Sequence, residues 1–206
     1  MTETARLATE TDAAPLSVCV YCGSRSGDDP AFAAAARAVG QAIGARGWRL
    51  VYGGGRAGLM GEVANAALAV GAHVTGVIPH ALMEREHGHH GLPALLVVET
   101  MHERKRLMAE HSDAFIALPG GIGTFEELFE AWTWLQLGYH AKPVGVLNVA
   151  GYYDTLLDFL EHAVARGFIP QAQRDSLQVS VEPGALLDAI ERLARRPQRD
   201  ENYSEL

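Results

Sequence analysis

Residues 114–136 read AFIALPGGIGTFEELFEAWTWLQ, and this stretch indicates the fold class. It begins as a continuously apolar run, passes through a proline and three glycines, and continues in a pattern typical of a helix. A short apolar run without alternation is typical of a strand that helices cover on both faces. We therefore interpret the stretch as a buried strand that leads through a glycine loop into a helix.

The same succession of strand and helix patterns continues on both sides of this stretch. Strands are predicted near residues 17–22, 48–53, 73–79, 95–99, 114–119, 144–149 and 177–180. Helices are predicted near residues 30–46, 58–71, 101–110, 124–137, 152–167 and 183–196. The sequence thus predicts an α/β fold with a doubly wound, mostly parallel sheet and helices on both faces. Ligands of such sheets bind at the strand-to-helix loops, outside the carboxyl ends of the strands.

Length and composition indicate one domain. The chain has 206 residues, of which 48% are hydrophobic, and this suffices for a single core within residues 16–196. Residues 1–15 and 197–206 are polar and lack periodicity, so we expect flexible tails there. The formal charge of −8 argues against a nucleic-acid partner, because such partners usually require a basic surface.

Neither a membrane segment nor a signal peptide is apparent in the sequence. No apolar run reaches the roughly 18 residues that a bilayer-spanning helix needs. The N-terminal residues also lack the basic-then-apolar pattern of a secretory signal. We therefore expect a cytoplasmic protein that does not bind membranes.

The two cysteines of the chain, Cys19 and Cys22, form a Cys-x-x-Cys pattern. This spacing also occurs in redox and zinc sites. Here, however, the pattern lies in an apolar run that we predict to be a strand, and residues three apart on a strand point to opposite faces. A buried strand is therefore favoured over a redox or zinc site.

The one long irregular connection, residues 80–94, contains His87, His89 and His90. Three histidines could suggest a metal site. No aspartate, glutamate or cysteine accompanies them at helix or strand spacing, so we predict a solvated loop instead. No metal site is predicted anywhere in the chain.

Two strand-to-helix loops are rich in glycine, GGGRAG at 53–58 and PGGIGT at 119–124. Glycines leave backbone N–H groups accessible, and a helix N-terminus adds the positive end of its dipole, so both loops are candidate phosphate sites. The candidate residues are Gly54, Gly55, Gly120, Gly121 and Gly123. Neither loop has the lysine of a Walker A motif, and the strand after GGGRAG does not end in an acidic residue as a dinucleotide fingerprint requires. Each loop alone is as consistent with a turn as with a binding site.

Glu127 has two interpretations that the residues leave open. Thr124 and Glu127 match the capping-box pattern T-x-x-E, in which both side chains bind free N–H groups of the first helical turn. Alternatively, a carboxylate near a helix N-terminus faces whatever the glycine loop binds. Glu126 and Glu130 point in other directions around the same helix, so the three carboxylates cannot share one site.

Arg104 is also open to two interpretations. It lies on the same helical stripe as Met101 and Met108, where an arginine either needs a partner or extends its charged head to water. Lys105, next to it, is a second candidate cation. The tryptophans and leucines of WTWLQL, residues 132–137, are predicted to pack on the sheet or on a second subunit.

Taken together, GGGRAGLMG, MHERK and PGGIGTFEE, followed by TWLQLGYHAKPVGVLNVAGYYD, closely resemble the LOG ("Lonely Guy") family. These are cytokinin riboside 5′-monophosphate phosphoribohydrolases, long mislabelled as lysine decarboxylases. The resemblance extends from about Ser17 to the last helix. It implies a Rossmann-like domain that acts as a homodimer, needs no cofactor, and hydrolyses the N-glycosidic bond of adenosine 5′-monophosphates. The products are the cytokinin or adenine base and ribose 5-phosphate.

The resemblance also implies a set of site residues. Arg104 and Glu127 correspond to the catalytic pair of the family. The implied substrate-binding residues are Glu86, Lys105, Gly120, Gly121, Gly123, Thr124, Glu126 and Thr133. The loop EHGHHG is specific to this chain and borders Glu86, so the preferred N6 substituent of the base stays open.

Two other functions compete with hydrolysis. A protein of the same fold could hold a nucleotide or a nucleotide-bearing cofactor without cleaving it, as molybdenum-cofactor carriers do, but the presence of both Arg104 and Glu127 favours an enzyme. A pyridoxal-dependent decarboxylase is disfavoured, because no lysine stands with the partners that a Schiff base requires.

Overall fold

The sheet contains seven strands, all parallel, in the computed structural model, which describes residues 14–84 and 87–196. They are β1 (Ser17–Tyr21), β2 (Arg49–Tyr52), β3 (His73–Pro79), β4 (Ala94–Val98), β5 (Ala114–Ala117), β6 (Val144–Leu147) and β7 (Leu177–Ser180). Their order across the sheet is β4-β3-β2-β1-β5-β6-β7. Val18 of β1 pairs with Leu50 of β2 on one side and Ala114 of β5 on the other. The predicted tails lie outside the described residues, except for Ala14 and Pro15.

An α-helix lies between most successive strands. The helices are α1 (Pro30–Ala45), α2 (Gly58–Ala69), α3 (Met101–Glu110), α4 (Ile122–Leu137), α5 (Asp154–Ala165), α6 (Gln171–Ser176) and α7 (Pro183–Ala194). Strands β3 and β4 are instead joined through a 3-10 turn, and α7 follows β7. Short 3-10 turns occur at His80–Leu82 and Val149–Gly151. The predicted doubly wound α/β fold is confirmed. The short helix α6 was not predicted. None of the helices in the described residues has the length and apolar character needed to span a bilayer.

Each face of the sheet carries its own apolar core. The first core contains side chains of α1, α2 and α7, and the second contains side chains of α3, α4 and α5. Val18 and Val20 of β1 point into the first core, while Cys19 and Tyr21 point into the second. Because both faces are covered, the strand must be apolar at every position, which explains the unbroken apolar runs in the sequence.

The two cysteines belong to different cores. Cys19 lies in the second core and Cys22 in the first, and both are free thiols. Burial raises the pKa of each thiol, so neither is activated as a nucleophile. The prediction that the two side chains point to opposite faces of the sheet is confirmed.

The tryptophans of α4 pack within the protomer. Trp132 and Trp134 are buried in the second core. The indole Nε1 of Trp132 donates to the carbonyl of Gln173 and to the Ser176 hydroxyl, at 3.3 and 3.0 Å. This result confirms packing on the sheet for the tryptophans, whereas Leu137 at the end of α4 is exposed.

His140, shortly after α4, is buried in its neutral form. Its Nδ1 accepts the backbone N–H of Lys142 at 3.1 Å, and its Nε2 lies 3.1 Å from the Ala131 carbonyl. The proton therefore resides on Nε2, because Nδ1 serves as an acceptor. Burial, followed by the nearby charge of Lys142, lowers the pKa of His140 to about 4.

The free energy of unfolding should consequently fall as the pH drops from about 6.5 towards 4. In this window the unfolded chain protonates His140 but the folded protein does not, so each pH unit costs about 1.4 kcal/mol and the total approaches about 3 kcal/mol. Urea unfolding at pH 7.5 and pH 4.5 measures the effect. His140→Gln should show a smaller difference between the two pH values than the wild type. A control variant of an exposed histidine, His73→Gln, should retain the full difference. Equal pH dependence in His140→Gln and the wild type would contradict the assignment.

Candidate active site

A pocket of about 400 Å³ lies where the strand order reverses, at the carboxyl ends of β1 and β5. In doubly wound sheets this reversal opens a crevice, because the loops from the two strands lead to helices on opposite faces. The pocket is lined by residues 20–27 and 119–124, and by Phe32, Gly53, Leu59, Met60, Arg104, Glu127 and Tyr152. The backbone N–H of Gly23 donates to the Pro119 carbonyl at 3.0 Å and joins the two loops.

The N-terminus of α4 forms one wall of the pocket. Gly121 is the N-cap residue, and no side chain of the described residues caps this end. The space around Gly121 and Gly123 is open, since a Cβ built on either would meet no atom within 4 Å. Because the first turn of a helix leaves its N–H groups without intrahelical partners, this wall presents backbone donors to a ligand.

The capping-box interpretation of Thr124 and Glu127 is wrong. The helix begins at Ile122, so Thr124 is its third residue and Glu127 its sixth, too far along to cap it. Thr124 is instead buried, and its side chain fills the space next to Gly120, where a Cβ would collide with the Thr124 hydroxyl oxygen. The helix starts two residues earlier than predicted, and Gly120 leaves room for the Thr124 side chain in its first turn.

Arg104, on helix α3, lines the pocket with a side chain that backbone carbonyls hold in place. Its Nε donates to the Val77 carbonyl and its Nη2 to the Gly53 carbonyl, both at 3.1 Å. The side chain is only 7% exposed, so the alternative in which its charged head reaches water is wrong. A Cβ at residue 53 would collide with Nη2, so the first glycine of GGGRAG provides room for the guanidinium.

Arg104 and Glu127 meet at the wall of the pocket. The Arg104 Nη1 lies 3.7 Å from the Glu127 Oε1, and the Glu127 side chain is 11% exposed. The distance is that of an ion pair and is too long for a direct hydrogen bond. The two predicted catalytic residues, 23 positions apart in sequence and on different helices, thus line one cavity.

Comparisons with known proteins agree with this arrangement. The sequence model of a family described as possible lysine decarboxylase matches residues 60–190. The probable cytokinin riboside 5′-monophosphate phosphoribohydrolase LOG4 of Oryza sativa subsp. japonica is 50% identical over 174 residues, which are 84% of this chain and 76% of that protein. The cytokinin riboside 5′-monophosphate phosphoribohydrolase of Rhodococcoides fascians is 50% identical over 177 residues, which are 85% of this chain and 89% of that protein. The chain belongs to the LOG family.

Solved structures with the same fold are more distant from this LOG protein in sequence. The molybdenum cofactor carrier protein MCP of Chlamydomonas reinhardtii superposes with a TM-score of 0.66 at 20% identity, over 89% of this chain and 100% of that one. The molybdenum cofactor binding protein of Rippkaea orientalis gives a TM-score of 0.65 at 21% identity, over 87% of this chain and 97% of that one. At such identities the likeness establishes the fold alone.

Two tyrosines after β6 hold the PGGIGT loop of the LOG protein in place. The Tyr153 hydroxyl donates to the Leu118 carbonyl at 2.7 Å, and the Tyr152 hydroxyl donates to the Gly120 carbonyl. The Tyr152 ring also contacts Phe32 edge-on, with ring centroids 5.6 Å apart. Sequence reasoning missed both tyrosines as site residues, although the Tyr-Tyr pair directly after a glycine offered a signal.

Sequence reasoning also missed the loop after β1, CGSRSG at residues 22–27, which lines the pocket. The Gly23 carbonyl accepts the N–H groups of Leu59 and Met60 at 3.0 and 3.3 Å, so the N-terminus of α2 holds this loop. Gly58 has a positive φ of 56°, and a side chain there would collide with the backbone of Ser24 and Arg25. This loop directly follows the first strand of the chain, and that position could have indicated a ligand-binding loop.

Gly54 and Gly55 of the LOG protein are not among the residues that line the pocket. Gly54 packs against Ile78 and Leu95, and its carbonyl accepts the N–H of His89 at 2.9 Å. Gly55 forms a bridge with Gly88. The segment that follows residue 86 therefore covers this part of the glycine loop.

The solvated-loop prediction is wrong for His89. This side chain is 6% exposed, and its Nδ1 lies 3.1 Å from the Tyr52 hydroxyl. Burial, with a smaller effect of Arg56, lowers its pKa. His87 and His90 are exposed as predicted. Within residues 14–84 and 87–196, no three histidines, cysteines or carboxylates are placed to hold a metal ion.

Lys105, Glu126 and Thr133 are not among the residues that line the pocket. Lys105 Nζ donates to Glu126 Oε1 at 2.6 Å and to Glu130 Oε1 at 2.8 Å, and these ion pairs join α3 to α4. Thr133 is exposed on α4. Glu86 lies outside the described residues. The pocket thus contains Arg104, Gly120, Gly121, Gly123, Thr124 and Glu127 from the predicted set.

Proposed function

We propose that this LOG protein hydrolyses the N-glycosidic bond of adenosine 5′-monophosphates, either N6-modified or plain. The products would be the free cytokinin or adenine base and ribose 5-phosphate. One observation carries the proposal: the Arg104 and Glu127 pair shares a single pocket with the open N-terminus of α4. The names of relatives that are about half identical support the same reaction.

Glu127 would supply the chemistry at the sugar. Cleavage of the bond between C1′ and the base passes through a state resembling an oxocarbenium ion, as in glycoside hydrolysis by analogy. A carboxylate next to C1′ stabilises this positive charge and accepts a proton from the attacking water. The water oxygen forms the new bond to C1′, and the departing base gains a proton. No covalent enzyme intermediate is required.

Arg104 would orient Glu127, and the glycine loop would hold the phosphate. Two of the three guanidinium nitrogens of Arg104 bind carbonyls, and the third, Nη1, lies 4.0 Å from the Met101 sulfur and 3.7 Å from Glu127 Oε1. A guanidinium fixed in this way limits the rotation of the carboxylate. The N–H groups around Gly121 and Gly123 would bind the 5′-phosphate, because a helix N-terminus attracts anions.

The lysine positions argue against a decarboxylase, despite the description of the matching family. Lys105 is held between Glu126 and Glu130. Lys142 is buried and donates its Nζ to the Ala109 carbonyl at 2.9 Å. Neither lysine lines the pocket, so a pyridoxal Schiff base has no attachment point there.

A carrier that binds nucleotide without cleaving it is the second candidate, and it rests on the fold shared with molybdenum-cofactor proteins. The acidic side chain in the pocket favours hydrolysis instead, because a pure phosphate carrier gains nothing from a carboxylate next to an anion. From the resemblance we further propose a cytoplasmic homodimer. Its charge of −8 supports the absence of a nucleic-acid partner.

Chromatography of reactions with AMP and isopentenyl-AMP tests the proposal. We expect the purified protein to release free base and ribose 5-phosphate in equal amounts from at least one of the two nucleotides. A parallel reaction with lysine and pyridoxal phosphate should give no carbon dioxide. Binding of both nucleotides without any base release would favour the carrier and reject the hydrolase.

A further inference from the structure

The side chains that line the pocket carry more positive than negative charge. Among the described residues, the charged side chains of the lining are Arg25, Arg104 and Glu127. Arg104 and Glu127 form an ion pair and largely neutralise each other. A 5′-phosphate, which carries a charge of roughly −1.5 to −2 near neutral pH, would therefore meet the helix dipole and one further cation. That cation is Arg25.

Arg25 has a fixed backbone and an exposed side chain. Its loop is held by the Gly23 bonds to Pro119, Leu59 and Met60, and its backbone packs against Gly58. The side chain extends from this anchored loop on the pocket side and is exposed. No acidic side chain in the described part of the chain forms an ion pair with it. The anchored loop thus restricts the position of the Arg25 guanidinium. Its N–H donors are available to an anion, because no carboxylate of the described residues pairs with them.

We propose that Arg25 binds the 5′-phosphate of the substrate opposite the N-terminus of α4. This inference rests on the proposed function, because it assigns a further substrate-binding residue to the same pocket. The loops that carry Arg25 and Gly121 are joined by the bond between Gly23 and Pro119, so they approach one anion from two sides. A guanidinium can bind two phosphate oxygens at once through its parallel N–H groups.

The assignment also explains how a phosphate and a carboxylate can share one cavity. The positive groups at the phosphate end, Arg25 and the helix dipole, would draw the phosphate away from Glu127 and towards the mouth of the pocket. The sugar would then lie between the phosphate and the buried pair. The second phosphate loop would be CGSRSG rather than GGGRAG, whose glycines accommodate Arg104 and the His89 segment instead.

The test uses the full chain with Arg25→Ala, Arg25→Lys and a control, Arg49→Ala. Arg49 is exposed at the amino end of β2, whereas the pocket lies at the carboxyl ends of the strands. The control therefore removes the same charge at a position away from the pocket. We expect Arg25→Ala to raise the KM for AMP about tenfold or more, with kcat within about threefold of the wild type. The lysine variant should lie in between, and the control should match the wild type.

Calorimetric titration separates this inference from the proposed function, because it needs no catalysis. Ribose 5-phosphate should bind Arg25→Ala about tenfold more weakly than the wild type, whereas adenosine, which lacks the phosphate, should bind both equally. Unchanged affinity for ribose 5-phosphate, or equal losses for both ligands, would overturn the role of Arg25. If the wild type cleaves no nucleotide, the proposed function fails, and the same titration still decides whether Arg25 binds phosphate.

Discussion

Glu127→Gln should reduce the release of base from AMP by about a thousandfold or more. Glutamine keeps the size of the side chain, but it can neither accept the proton of the attacking water nor place a negative charge next to C1′. Proton transfer alone typically contributes 10²–10⁴ to a rate, and the lost electrostatic stabilisation adds to it. The rate of base release from the purified variant, measured by chromatography under saturating AMP, gives the effect.

The fold of this variant should remain intact. Glu127 does not cap α4, and Arg104 retains its two carbonyl acceptors, so we expect a loss of only about 1–2 kcal/mol in the free energy of unfolding. AMP should still bind, since the phosphate contacts are unchanged. The matched control is Glu130→Gln, the same change nearly one turn along α4, where the side chain pairs with Lys105 outside the pocket. Activity within tenfold of the wild type in Glu127→Gln would exclude Glu127 as the catalytic carboxylate.

Arg104→Lys should impair both stability and catalysis. A lysine ammonium cannot reach the Val77 and Gly53 carbonyls and also face Glu127, so at least one buried carbonyl loses its donor. We expect the free energy of unfolding to fall by about 2–4 kcal/mol. We also expect kcat for AMP to fall by about a hundredfold, because Glu127 is no longer held. Urea unfolding and steady-state kinetics measure the two effects.

The control for this variant is Arg106→Lys, two positions along the same helix. Arg106 is partly exposed and pairs only with Glu110, one turn away on α3, among the described residues. Its replacement should change the free energy of unfolding by less than about 0.5 kcal/mol. Unchanged stability of Arg104→Lys would contradict the role of the two carbonyl contacts, and an unchanged kcat would contradict the orientation of Glu127 by Arg104.

The fold could be predicted because its signal is local. Helices cover both faces of strands such as β1, so the sequence of such a strand is apolar throughout. Most of these apolar runs are followed in the sequence by a helix pattern, so the alternation of strands and helices can be read along the chain. Arg104 and Glu127 could be predicted as a pair only through the resemblance to the LOG family. From the residues alone, each had an alternative role, as a cap or as a surface cation, that needed no partner in space.

The remaining features depend on contacts between distant segments. Whether Thr124 caps α4 or lies inside it depends on the space at Gly120, which no helix pattern reports. The glycine at position 53 accommodates a guanidinium that lies 51 positions further along the chain. Arg25 belongs to no recognisable motif, and only the path of β1 next to β5 brings it to the pocket. Such contacts are visible only after the fold is known.

The tyrosine bonds to the PGGIGT loop also set an order of events during protein synthesis. Gly120 leaves the ribosome 32 residues before Tyr152, and Leu118 leaves 35 residues before Tyr153. The loop therefore exists for some time as a nascent segment without its anchors. Because both tyrosines follow β6, which pairs with β5, we expect the loop to reach its final shape only after β6 has docked beside β5. Nucleotide binding would thus report that both halves of the sheet have assembled.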